Sequence, residues 1–194
     1  MEGYIETGFE ADLADSLEMA FVFLESSQTD SRYWKWFVLA LHSSVQGTAA
    51  LALEHGNGLL IQKPGVMKRI IESRGDNAQI VERYMDKFTN LVEKTGRNEM
   101  LRQGAVPLED NGHVSAMRVL NDIREDFVHF NINSWMIGIQ NLLKLAQHGV
   151  EYICHYARDT PAILWHEESC QKRANAAIVA LRDKLAVLSV SNNN

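Results

Sequence analysis

The sequence predicts an all-α fold, an up-and-down bundle of five to six main helices. Three observations predict it. Apolar residues recur with helical period along most of the chain, proline occurs only three times in 194 residues, and no stretch alternates in the manner of a half-buried strand. A chain that is 46% hydrophobic and 23% charged reads as a single domain over residues 1–194. Its core is large enough to need no disulfide or metal staple.

The elements follow in order. Residues 11–24 place Leu13, Leu17, Phe21 and Leu24 on one helical stripe. The polar run from Ser26 to Ser31 breaks that pattern and offers N-cap side chains for a second helix, 33–54. This second helix is apolar on nearly every side, as expected of a central helix, and Gly47 with its neighbouring alanines invites close approach by another. His55-Gly56-Asn57-Gly58 ends it, and Pro64-Gly65 reads as a second turn. A third helix is expected at 77–95 through Ile80, Tyr84, Phe88, Leu91 and Val92. The polar segment 96–112 reads as a mobile loop. Helices resume at 113–130, 134–157 and 165–188, and the tail 189–194 is expected to be frayed and disordered.

A net charge of −6 argues against a broad basic face that grips duplex nucleic acid, yet leaves room for a local pocket holding one or two arginines. Two cysteines make neither a disulfide framework nor a zinc pattern, which points to a reduced compartment. The acidic start Met1-Glu2-Gly3-Tyr4-Ile5-Glu6 is unlike a secretory signal, and apolar runs long enough for a membrane span are missing. A soluble, cytoplasmic protein with no membrane partner is the expectation.

The segment from Leu120 to Phe130 carries the chemistry: Arg124 and His129 lie five residues apart on a helix. A guanidinium keeps its charge at every physiological pH and an imidazole titrates near neutrality, so the pair suits phosphodiester cleavage without a metal. On a helical projection Leu120, Ile123, Phe127 and Phe130 form the core face, with Arg124 at its edge. His129 falls about 140° from Arg124, so one straight helix does not join them. Either the helix ends near His129 and the imidazole swings back, or a two-fold dimer pools the residues of both copies; the second arrangement is preferred because it concentrates positive charge. The same residues have an ordinary structural use, with Arg124 covering apolar surface and pairing with a carboxylate, and His129 favoured by the dipole of a last helical turn.

The run Asn121-Asp122-Ile123-Arg124-Glu125-Asp126-Phe127-Val128-His129-Phe130 resembles the Arg-x4–6-His motif of HEPN domains, and Tyr33 to Gly47 is similar to the second-helix region of an uncharacterised bacterial branch of that group. The resemblance implies a small, dimeric helical bundle acting as a metal-independent endoribonuclease of the toxin or phage-defence type. RNA would be the substrate, an antitoxin protein the inhibitor, and no cofactor would be required. Arg124 and His129 match the catalytic pair, and cleavage would leave 2′,3′-cyclic phosphate ends. Glu125 departs from the polar Asn, Asp or His usual after the arginine; its charge is useful only if it orients His129 or is held away. Asn131 stands where one regulated subgroup has a tyrosine, so modification by a nucleotidyltransferase is not implied. The alternative is a non-catalytic HEPN-like module that binds a protein or a nucleotide.

Other constellations read as structural. His148, Glu151 and His155 share a helix face and could meet a metal only with help from elsewhere, so no metal site is assigned. His42 reads as a hydrogen-bonded core histidine rather than a buried base. Trp34 and Trp36 read as packing groups, Gly56-Asn57-Gly58 as a helix-ending turn, and Arg97, Arg102 and Arg118 as solvated charges.

Overall fold

The computed structural model of the chain describes residues 7–73, 81–129 and 135–191. It is all-helical, with seven α-helices among the described residues: α1 Phe9–Ser26, α2 Tyr33–Leu53, α3 Pro64–Glu72, α4 Phe88–Thr95, α5 His113–Val128, α6 Ile139–Cys154 and α7 Glu168–Ser191. A 3-10 turn at Asn98–Met100 and a π-helical turn at His155–Asp159 complete the helical content. Seven exceeds the five or six expected, and the additional helix is α3. Pro64 occupies its first turn, where the missing N–H has no intrahelical partner to lose, so the Pro-Gly pair starts a helix here rather than marking a turn. Only Val66 of α3 is buried, although this nine-residue helix gathers Val66, Met67, Ile70 and Ile71 on one side.

The apolar helix α2 forms the axis. Phe37, Val38, Leu41, Val45, Ala49 and Leu53 are each at most 1% exposed. Helices α1, α4, α5 and α6 pack directly on α2, and α7 closes the wall between α1 and α6. By length and hydropathy α2 could cross a membrane, but it is mostly buried against its neighbours. Pairings fix the direction of adjacent helices. Gly47 late in α2 lies beside Leu13 early in α1, 3.5 Å from an added Cβ, and Phe23 late in α1 stacks on Tyr33 at the start of α2. The close approach expected at Gly47 is therefore present. Likewise Gln147 of α6 donates to Ser189 of α7, and α6 runs back along α5. Helices α1 and α7 run parallel, joined by Arg173 to Asp15 and Glu18 and by Lys184 to Glu25.

The predicted helix over 77–95 is corrected at its start. Residues 77–80 lie outside the described residues, and the helix begins only at Phe88. The preceding backbone is held extended: Lys63 N–H donates to the Tyr84 carbonyl and Asp86 N–H to that of Ile61, around an isolated bridge of Gln62 with Met85. Asp86 then accepts the Lys87 backbone N–H and the Asn90 amide, and pairs with Lys94 at 2.8 Å. A buried aspartate so satisfied starts the helix where periodicity alone extended it backward. Of the expected frayed tail, residues 189–191 continue α7, where Ser189 Oγ donates to the Leu185 carbonyl and accepts from Gln147; residues 192–194 lie outside the described residues.

Segment 96–112 is largely irregular, as expected, but it is tied to the bundle. Leu101 and Ala105 are buried, and the Val106 carbonyl meets His155 Nε2 at 2.9 Å. Leu108 N–H donates to Tyr156 Oη, which itself donates to the Thr95 carbonyl, both at 2.9 Å. Tyr156→Phe leaves the buried Thr95 carbonyl and the half-buried Leu108 N–H without that partner. The expected cost is about 1–3 kcal/mol in chemical denaturation, with amide exchange at Leu108 accelerated at least about tenfold by local opening. Unchanged protection at Leu108 would show that Tyr156 does not hold the loop.

Candidate functional site

Helix α5 places the site. Leu120 and Ile123 bury themselves toward α2 and the core, which turns the Arg124–Glu125 edge outward. The helix ends at Val128, and His129 takes φ −91° and ψ 13°, with its N–H still donating to the Glu125 carbonyl. This places His129 one turn beyond Glu125, on the same face.

Glu125 is the link between the two residues singled out by sequence. One carboxylate oxygen accepts from Arg124 Nη1 at 2.6 Å, and the other meets His129 Nε2 at 2.8 Å. Arg124 and His129, too far apart around the helix to meet directly, are thus held in one Arg–Glu–His chain. The imidazole reaches Glu125 by the ordinary i, i+4 relation, with its own N–H still bonded in helical register. Side-chain exposure is 34% for Arg124, 42% for Glu125 and 71% for His129, so a large ligand can reach all three. Burial lifts the Glu125 carboxyl, but the Arg124 hydrogen bond and the Arg124 and His129 charges outweigh it and hold the group below the ordinary glutamate range. Asn131, the fourth residue assigned to the site, lies outside the described residues, as does Phe130.

A cleft of about 480 Å³ opens beside Arg124 and Glu125, between α2, the start of α4, and α5. His42, Gln46, Asp86, Lys87 and Asn121 contribute to its wall. His42 is buried; its Nε2 meets Asn121 Oδ1 at 3.3 Å, and its ring stacks on Phe88 with centroids 4.0 Å apart. It is thus the hydrogen-bonded core histidine expected from the sequence, though its place beside Arg124 was not foreseen. Burial, with a smaller contribution from the Arg124 charge, pushes its pKa down to about 4 against the raising effects of Asn121 and Glu125. His42 therefore stays neutral near pH 7 and adds no charge to the cleft.

A larger cavity, about 1000 Å³, lies elsewhere, beside the start of α1. Its carboxylate Glu10 is committed to the N-terminus of α7, receiving the backbone N–H groups of His166 and Glu167, and its His55 is bonded to the Met100 carbonyl. The face shared by His148, Glu151 and His155 on paper is also rearranged. His155 enters the π-helical turn and meets the Val106 carbonyl, and His113 of α5 takes its place beside the other two.

Compared with family models, curated proteins and solved structures, the chain finds no match in any of the three. The site stands on its geometry. Sequence reasoning found Arg124, Glu125 and His129 but missed His42, Lys87 and Asn121 as neighbours of Arg124 and Glu125 in the cleft, which His129 does not line. A lone histidine within the apolar α2 was the available signal; its register against α5 was not.

His42 gives a pH prediction. The unfolded imidazole titrates near 6.5 and the folded one near 4. Stability is therefore fully present above about pH 6.5 and is lost as pH falls toward 4, because protonation favours the unfolded chain. Between pH 7.5 and 4.5 His42 should remove on the order of 2–3 kcal/mol from the unfolding free energy. Urea titrations of wild type and His42→Gln at both pH values isolate it: the wild type should lose more by about that amount. Equal losses would place the pH sensitivity in other groups.

Proposed function

We propose that this chain is a metal-independent endoribonuclease of the HEPN type, acting through Arg124 and His129. The observation that carries the reading is the Glu125 carboxylate, shared between Arg124 Nη1 and His129 Nε2. With Nε2–H donated to Glu125, the neutral ring has Nδ1 free to accept a proton. Glu125 also stabilises the imidazolium that then forms, so the residue that departs from the family pattern acquires a use.

In the proposed reaction the ribose 2′-oxygen attacks phosphorus, and the bond from phosphorus to the 5′-oxygen breaks. A 2′,3′-cyclic phosphate and a free 5′-hydroxyl result. One proton leaves the 2′-OH and one arrives on the 5′-oxygen. His129 takes one of these roles as base or acid, and the His129 of a second copy takes the other if the site is shared across a two-fold axis. Arg124 presents its remaining N–H groups to the phosphate and stabilises charge developing on its oxygens. DNA, lacking the 2′-OH, should be inert. A protein that cleaves RNA in its own cell also calls for an inhibitory antitoxin partner. A second reading, a non-catalytic module that binds protein or nucleotide, is favoured by the Arg124 guanidinium being already engaged by Glu125.

The test is cleavage of a labelled, structured RNA in EDTA by wild type, Arg124→Ala and His129→Ala. The expected result is cyclic-phosphate products from wild type, reduced about 10²–10⁴-fold by His129→Ala and about 10²–10³-fold by Arg124→Ala. A folded wild type that leaves RNA intact, or variants that cut as fast, would overturn the nuclease reading in favour of the binding module.

A further inference from the structure

We propose that His113, His148 and Glu151 form a binding site for a divalent ion of the zinc class, joining the first turn of α5 to α6. The site is distinct from the Arg–Glu–His chain. His113 opens α5 and Arg124 lies eleven residues further along the same helix, a separation of about 16 Å at 1.5 Å per residue.

The residue types and the spacing carry the argument. Two imidazoles and one carboxylate are the donor set a borderline divalent ion takes from a protein when its remaining position holds water. His113 Nδ1 and His148 Nδ1 are 3.3 Å apart. Two nitrogens each about 2.05 Å from a tetrahedral zinc are themselves about 3.3 Å apart. The rings stand nearly perpendicular, at 86°, so their ring nitrogens converge while the rings avoid stacking. One ligating atom from each of the three residues lies within 4.8 Å of the other two. Closing that distance to a tetrahedral edge takes a shift of about 1.5 Å at most.

The placement separates a built site from a chance grouping. His113 is buried at 6% exposure, with Nδ1 facing His148 and Nε2 3.7 Å from the Glu151 carboxylate, so an ion held at Nδ1 draws the exposed Glu151 side chain round to that edge of the ring. It comes from a different helix than His148 and Glu151, which follow one another at i, i+3 on α6. The rigid ligands are therefore held by backbone from two elements, and the exposed Glu151 side chain completes the set from the solvent side. Its negative charge is needed. The N-terminal end of α5 carries the positive end of the helix dipole, which opposes a cation that two neutral imidazoles alone would hold. An ion here would staple the antiparallel α5–α6 pair at its open end.

The test is titration of the metal-stripped full chain with ZnCl₂ by calorimetry, with thermal unfolding as a second readout and CoCl₂ as a spectroscopic probe. Wild type should bind one Zn²⁺ per chain, unfold at a higher temperature with saturating zinc, and give the visible bands of four-coordinate cobalt. His148→Ala and Glu151→Ala, which leave the buried His113 in place, should weaken binding at least about tenfold and abolish the thermal shift. A wild type without stoichiometric binding, or variants that bind as tightly, would overturn the site and leave a hydrogen-bonded histidine pair. Neither readout involves RNA, so the result is independent of the nuclease reading.

Discussion

The fold depends on the need to surround α2. A 21-residue helix with apolar side chains on almost every side can leave only a strip through Trp36 and Ser43 to water, so the rest of the chain wraps the remainder. Helices α1, α4, α5 and α6 each take a part of its surface, and α7 is held at the perimeter by the wall between α1 and α6. Close approach at Gly47, against Leu13, and at Gly149, against Leu41, makes the wrapping tight. The polar interruption at His42 is tolerated because Asn121 accepts its hydrogen bond and Phe88 covers its ring. That accommodation fixes α4 and α5 side by side on α2, and the cleft forms where they meet.

Helical geometry sets Arg124 and His129 some 140° apart. Glu125 spans the gap: it follows Arg124 in sequence and lies one turn before His129, so its single carboxylate reaches both neighbours. The arrangement resembles other acid–base sites in logic, with a carboxylate fixing the tautomer of an exposed histidine. Glu125 also engages the Arg124 guanidinium, so under the proposed function it would compete with phosphate for that group. In that proposal, the balance between these two effects of Glu125 separates a catalyst from a binding module.

Much of the helical layout was legible, because α1 and α5 carry period-3.6 stripes, α2 is long and apolar on nearly every side, and polar or glycine-containing runs mark where they end. Helix α3 was not: Val66, Met67, Ile70 and Ile71 fall on one side, but the helix is only nine residues long and Pro64-Gly65 reads as a turn. The start of α4 was misplaced because Tyr84 continues the periodicity while Asp86 and the pairing with Ile61 and Lys63 hold the backbone extended. Within the site, Arg124, Glu125 and His129 are close in sequence, so their spacing could be read directly. His42, Asp86 and Lys87 join the same cleft from other elements, and His113 replaces His155 beside His148. Both facts depend on interhelical register, which no local pattern encodes.

The most direct test of the central claim is the tautomer and protection of His129, measured by ¹⁵N NMR of the imidazole above pH 7.5 in wild type and Glu125→Ala. A carboxylate bound to Nε2 favours the tautomer with the proton on that nitrogen and slows exchange of the Nε2–H. Both effects should be lost in Glu125→Ala, which should show the tautomer ratio and fast exchange of an unrestrained imidazole. A wild-type His129 already indistinguishable from the variant would contradict the Arg–Glu–His chain.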